Sequence, residues 1–156
     1  MEETKFICVA TRYRNTIYRI SFNYFKNPHD AEDAVQDVLL KLYTSKKNFE
    51  SDNHIRNWII RITINHCKNI LRMPWRRKNV TLDDVVEYKM VYTESENELL
   101  TEVLQLPEKY RLILYLFYYE EYSGKEIAEL LHLSESVVTT RLSRGRSQLK
   151  LKLREV

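Results

Sequence analysis

Apolar and aromatic positions recur at helical spacing from Phe6 to Phe25, with Tyr13, Ile17, Ile20 and Tyr24 on the repeating face, and the pattern stops at Asn27-Pro28. Asn27 has the side chain of a helix cap, Pro28 suits the first helical position, and Asp30 places negative charge in the first turn, where the helix dipole favours it. A second helix is therefore expected to begin there. Its residues divide into an inward set, Ala34, Val35, Val38, Leu39 and Leu42, and an outward set, Asp33, Gln36, Asp37 and Lys41. The outward face is open to a partner. Between Ser45 and Ile55 the periodicity lapses into a polar loop that holds one aromatic residue, Phe49, and takes in Asn53 and His54.

The next helix carries more chemistry. Arg61, Asn65, Lys68 and Arg72 fall at i, i+4, i+7 and i+11, which aligns them on one face, while Ile60, Ile64, Cys67 and Leu71 occupy another. Trp58 sits one turn before the polar row. A cationic and amide row beside an aromatic ring and a polar loop suits single-stranded nucleic acid, with bases stacked or pocketed and the backbone tracked by charge. The plainer alternative is a solvated basic face with a core Trp.

Beyond Arg72-Met-Pro-Trp-Arg-Arg-Lys78 the pattern changes. Residues 83 to 102 carry Asp83, Asp84, Glu87, Glu94, Glu96, Glu98 and Glu102 against one Lys89, with weak helical hints from Val85 to Tyr92. Such a tract reads as a solvated flexible linker, and it also has the charge to repel DNA phosphates or to imitate them in a basic channel. Helix resumes from Glu98 to Gln105, Leu106-Pro107 marks another helix entry, and Tyr110 to Tyr119 is apolar enough for a support helix. The expected organisation is a domain over 1–73, an acidic linker over 74–97 and a domain over 98–156.

The last segment has the signature of a helix-turn-helix. Ser123 caps a helix whose third residue is Glu126, and Tyr122 and Ile127 stand where an apolar staple would form. Ile127, Ala128, Leu130 and Leu131 face inward, and His132-Leu133-Ser134 ends the pattern, with Leu133 plugging the turn and Ser134 as a second cap. The helix that follows sets Val138, Leu142 and Leu149 on one stripe and leaves Ser136, Thr139, Thr140 and Ser143 to reach base edges. Arg141, Arg144, Arg146, Lys150, Lys152 and Arg154 follow with side chains suited to phosphate oxygens. A solvated amphipathic hairpin would share the spacing but has no need of the doubled caps and the basic row.

Composition narrows the class. Among 156 residues there are only two Gly and three Pro, with 44% hydrophobic content, which favours an all-α fold of long helices joined by few loops. The net charge is only +3, so the nucleic-acid signal lies in how charge is segregated rather than in its sum. Cys8 and Cys67 lack paired spacing, which argues against a disulfide scaffold or zinc site and for reduced thiols. No apolar run has the length of a membrane span and no signal-peptide pattern opens the chain, so a cytoplasmic protein without membrane insertion is expected. An enzyme or metal protein built on His54, His66 and Cys67 has little support, because His66 and Cys67 point about 100° apart on a helix. No nucleophile-base constellation or phosphate loop appears, so neither catalysis nor a cofactor is expected.

Taken together, the two halves resemble an extracytoplasmic-function sigma factor of the bacterial sigma-70 family. Asp30-Ala-Glu-Asp33-Ala-Val-Gln36-Asp37-Val resembles the family's core-polymerase-binding helix, and Asn57-Trp58-Ile-Ile-Arg61-Ile-Thr-Ile-Asn65-His-Cys-Lys68-Asn69 its helix for the melted promoter strand. Leu106-Pro107-Glu-Lys-Tyr-Arg111, Lys125-Glu126-Ile127-Ala128 and Arg141-Leu142-Ser-Arg144-Gly-Arg146 resemble the module for the upstream promoter element. The resemblance implies sigma regions 2 and 4 on a flexible connector, a role in directing core RNA polymerase to promoters and assisting their melting, and an anti-sigma factor as a further partner. It implies that Asp33, Gln36, Asp37 and Lys41 meet the polymerase β′ coiled coil, and that the C-terminal module engages the β flap. Asn53, His54 and Trp58 with Arg61, Asn65, Lys68 and Asn69 would hold the downstream (−10) element as single strand. Ser136, Thr139, Thr140, Arg141, Arg144 and Arg146 would meet the upstream (−35) element as duplex.

The chain departs from the family pattern at Ser136, Val137, Thr139, Gly145 and Leu39, which include base-facing positions where promoter preference is set. Gly145, mid-helix where Ala is usual, is expected to cost roughly 1 kcal/mol and to soften the recognition helix. The competing reading, a helix-turn-helix regulator that binds duplex operator without polymerase, accounts for residues 106 to 156 and leaves the first half unexplained.

Overall fold

The computed structural model describes residues 1–74 and 101–154, and these are helices and short connections with no strand among them. They belong to two compact units, Met1–Val91 and Tyr92–Val156. The expected acidic linker lies outside the described residues except for Pro74, as do the helical hints at Val85 to Tyr92 and the start of the helix expected from Glu98.

In the first unit α1 (Glu3–Phe25) packs against both α2 (Pro28–Thr44) and α3 (Asp52–Leu71), and α2 packs against α3. The break between α1 and α2 is set locally. Lys26 turns into the left-handed region at φ 54° and its amide reaches the Phe22 carbonyl at 2.8 Å. Asn27 Oδ1 then accepts from the Asp30 amide at 3.1 Å, with Pro28 in the first turn. This is the punctuation that the sequence predicts. Ile17, Ile20 and Phe22 of α1, Val35, Val38 and Leu42 of α2, and Ile59, Ile60 and Cys67 of α3 lose all solvent contact. Each such aliphatic side chain contributes about 1.5–3 kcal/mol of burial.

The start of α3 corrects an expectation. Asn53 and His54 are not loop residues: the Ser51 hydroxyl accepts from the His54 amide at 3.1 Å, and both residues sit in the first turn of the helix. Ser51 is the cap and Asp52 the first-turn acid, so the polar stretch that looks like loop already contains a helix entry. The connection between α2 and α3 is therefore residues 45–51.

In the second unit residues 101–104 are helical, Leu104 and Leu106 are buried, and Pro107 precedes α4 (Glu108–Leu114). The support helix reaches Tyr119 as expected, but its last five residues, Tyr115–Tyr119, are wound as a π-helical turn. The Glu120 and Tyr122 amides bond to the Tyr115 and Leu116 carbonyls, so the helix end stays paired as the chain leaves it. The buried Arg111 sends a guanidinium N–H to the Leu106 carbonyl at 3.1 Å and ties α4 to the turn before it.

The capping box at Ser123 is complete: its hydroxyl accepts from the Glu126 amide at 3.1 Å, and Glu126 Oε1 accepts from the Ser123 amide at 3.0 Å. It opens α5 (Gly124–Leu131), which ends at His132 in the left-handed region at φ 55°. Ser134 Oγ accepts from the Val137 amide at 3.2 Å and opens α6 (Glu135–Arg154).

Gly145 has a packing role in α6. It is buried where α6 crosses α4, and a Cβ there would lie 3.2 Å from Leu114 Cδ1 and 3.2 Å from Tyr110 Cβ. The missing side chain lets the two helices approach, and this packing offsets the propensity cost of the glycine. Gly145→Val should therefore destabilise the second unit by about 2 kcal/mol through overpacking. Thermal unfolding of the full chain checks this, and an unchanged transition would contradict the close crossing.

Candidate nucleic-acid interface

Helix α3 presents its polar row as the spacing requires. At about 100° per residue, His54, Trp58, Arg61, Asn65, Lys68, Asn69 and Arg72 fall within one sector. Arg61, Asn65, Asn69 and Arg72 are exposed, and Trp58 and Lys68 are half-buried. Opposite them Ile59, Ile60, Thr63, Ile64 and Cys67 are buried, while Leu71 keeps partial exposure at the frayed end. Asn53 is exposed but about 100° from His54 around the helix, so the structure does not bring it into the row.

One residue outside the expected site organises its upper end. The Phe49 ring lies 5.3 Å from His54 and 5.3 Å from Trp58, edge-on to both. His54 Nδ1 accepts from the Glu50 amide at 3.1 Å, which fixes the imidazole against the loop. An aromatic surface is thus assembled at the N-terminal end of the cationic row, the arrangement that stacking on unpaired bases needs. Phe49 is visible in the sequence as the lone aromatic residue of a polar loop, but its partners emerge only once the α3 entry is placed at Ser51.

On α2, Asp33, Gln36, Asp37 and Lys41 are all exposed, as expected. Leu40 lies among them at 62% exposure and makes the centre of this polar face apolar. The tandem Leu39-Leu40 holds the signal, since at about 100° per residue Leu39 stays beside the inward Val35, Val38 and Leu42 while Leu40 swings onto the outward side with Asp33, Gln36 and Asp37. Asp37 and Lys41 also meet α3: His66 Nε2 is 3.2 Å from Asp37 Oδ2, and His66 Nδ1 is 3.3 Å from Lys41 Nζ. Burial, helped by the Lys41 ammonium and opposed by the Asp37 carboxylate, holds the His66 pKa below its ordinary value. Neighbouring Cys67 points elsewhere, with Sγ 3.6 Å from Ser21 Oγ in the core. Among the described residues no group of three or more His, Cys, Asp or Glu side chains is placed to hold a metal ion.

In the second unit the six expected duplex-contacting residues separate into two rows on α6. Ser136, Thr140, Arg141 and Arg144 line a cleft of about 280 Å³ together with Val137 and with Lys109 and Tyr110 of α4. Thr139 and Arg146 do not line it. The Thr139 hydroxyl donates to the Glu135 carbonyl at 3.0 Å, and Arg146 Nε donates to the Leu142 carbonyl at 3.3 Å. Lys109, which the sequence offers only as part of a motif, joins Arg141 and Arg144 as a third cation at the cleft. Three cations beside the Ser136 and Thr140 hydroxyl groups give the cleft a positive lining whose chemistry suits phosphate oxygens.

Comparison with known proteins gives the family. The model of sigma-70 region 2 matches residues 9–77, and that of sigma-70 region 4 matches residues 96–149. The ECF RNA polymerase sigma factor SigW of Bacillus subtilis is 28% identical over 174 residues, covering 99% of this chain and 92% of that protein. The RNA polymerase sigma factor SigV of the same organism is 27% identical over 157 residues, covering 97% and 94%. Among solved structures, the sigma factor RpoE from Bartonella quintana, in complex with the anti-sigma factor NepR, shares the fold with a TM-score of 0.70 at 19% identity, over 97% of this chain and 96% of that one. The chain belongs to the sigma-70 family, in its extracytoplasmic-function branch. It is a non-enzymatic factor that directs RNA polymerase to promoters.

The His66 environment predicts a pH dependence for the first unit. The folded-state pKa is depressed below 6.5, so its contribution to stability is complete above that value and is lost as pH falls through the folded pKa. Chemical denaturation between pH 7.5 and 5 should show stability declining with acidity, and His66→Leu should flatten that decline.

Proposed function

We propose that this factor divides its work between its two domains, with residues 1–73 docking on core polymerase and holding the unpaired promoter strand, and residues 98–156 reading duplex. Residues 74–97 connect them. The observation that carries this reading is the presence, on one small unit, of two distinct outward faces. Arg61, Asn65, Lys68 and Asn69 project from α3 beside the Phe49, His54 and Trp58 rings, and Asp33, Gln36, Asp37 and Lys41 project from α2.

The first of these faces takes the downstream element as single strand. Base stacking and phosphate binding at this face offset the few kcal/mol needed to unstack each captured base, which is how recognition assists melting. Asn53 belongs to the edge of this site rather than to its centre. The second face, with Leu40 at its middle, meets the coiled coil of the polymerase β′ subunit, and the C-terminal domain engages the β flap. In that domain Ser136, Thr140, Arg141 and Arg144 meet the upstream duplex, with Lys109 on its phosphates and Thr139 and Arg146 flanking.

The factor works in the cytoplasm, where polymerase and promoter DNA are. No helix among the described residues is long and apolar enough to cross a membrane. An anti-sigma factor is a further partner, a reading supported by the fold shared with a sigma factor solved in such a complex. A duplex-only regulator would leave the two faces of the first unit without a use.

The division of labour is tested with three variants and purified core polymerase. Arg61→Ala with Lys68→Ala should retain polymerase binding and lose promoter opening, whereas Asp37→Arg should lose polymerase itself. Lys109→Ala should weaken duplex binding by about threefold to tenfold and reduce its salt dependence by about one counterion. Failure of the first two variants at the same step would overturn the assignment.

A further inference from the structure

Three polar groups meet where α3 leans on α2, and their chemistry leaves one arrangement. An ammonium only donates, so the contact from Lys41 Nζ requires His66 Nδ1 to be the bare, accepting nitrogen. The ring proton then resides on Nε2, which donates to the Asp37 carboxylate. The imidazole side chain is 10% exposed and the Asp37 side chain 54%. A buried, immobile ring therefore grips two outward side chains that lie one helical turn apart on α2.

Asp37 and Lys41 need such a grip. Each is exposed and free to rotate on its own helix, and a docking surface that must order them at the moment of binding loses affinity to their entropy. With His66 between them, carboxylate and ammonium are separated by an imidazole and held at set positions before a partner arrives. We propose that His66 is a positioning residue for polymerase docking, acting from the edge of α3 through Asp37 and Lys41. The proposal rests on the assignment of those two residues to the polymerase-facing surface. It gives α3 a second task beside the nucleic-acid row, from which His66 is turned away.

The test is an equilibrium titration of core RNA polymerase with the full chain and its variants, with circular dichroism to confirm folding. His66→Leu removes both hydrogen bonds and should weaken binding by about tenfold. His66→Gln keeps one donor and one acceptor on a side chain long enough to reach both partners, and should restore affinity to within about twofold of the parent. In an Asp37→Ala background the effect of His66→Leu should shrink, because the two act through one contact. If His66→Leu does not fold, His66→Asn replaces it: equally polar but too short to bridge, it should bind about tenfold more weakly than His66→Gln.

Equal affinities for the bridging and non-bridging variants would overturn the role of His66, even with Asp37→Arg unable to bind. Normal binding by Asp37→Arg would instead overturn the docking assignment beneath it.

Discussion

Burial of one stripe of α3, Ile59, Ile60, Ile64 and Cys67, against α1 and α2 fixes which side of α3 the first unit shows to the outside. A helix with a rigid turn angle cannot bury one stripe without committing the opposite one. Once these side chains are packed, Arg61, Asn65 and Asn69 have no choice but to project together. The same constraint runs through α6. Val138, Leu142 and Gly145 are buried, which leaves Ser136, Thr140 and Arg144 on a row that faces the cleft with Lys109. Both exposed rows are thus by-products of core packing, and a substitution in the core would move either row without touching it.

Local chemistry is legible in the sequence wherever a helix end is decided by neighbours in the chain. Asn27-Pro28-Asp30, Ser123 with Glu126, and Ser134 each announce their cap, and each cap forms as its residues imply. The entry at Ser51 escapes such reading because Asp52, Asn53 and His54 are as common in loops as in first turns, and no apolar residue stands between Ser51 and Ile55 to mark the face. Features that depend on a second helix are not legible. Gly145 reads as a propensity defect until α4 is seen against it, and His66 reads as an unexplained polar residue until Asp37 and Lys41 arrive from α2. The π-helical turn at Tyr115–Tyr119 leaves no pattern, since its residues also fit an ordinary helix.

The charge distribution gains meaning from this geometry. A chain of net charge +3 gives no global attraction to DNA, yet Arg61 and Lys68 align on one face of α3, and Lys109, Arg141 and Arg144 converge at the cleft between α4 and α6. Association through these two patches should therefore be local and strongly salt-dependent. Apolar Leu40 within the acidic and amide face of α2 completes the contrast with the cationic row of α3, and in the proposed division of labour the first serves protein and the second nucleic acid.

The central claim is that this chain, added to core polymerase, both selects a promoter and holds its opened strand. Permanganate reactivity of thymines on a supercoiled promoter template, with core polymerase and with or without the chain, measures this most directly. The account predicts reactive thymines in the downstream element and around the start site only when both proteins are present, and their loss when the α3 row is removed. Reactivity that is independent of the chain, or a chain that protects duplex while no thymine opens at any promoter, would contradict it.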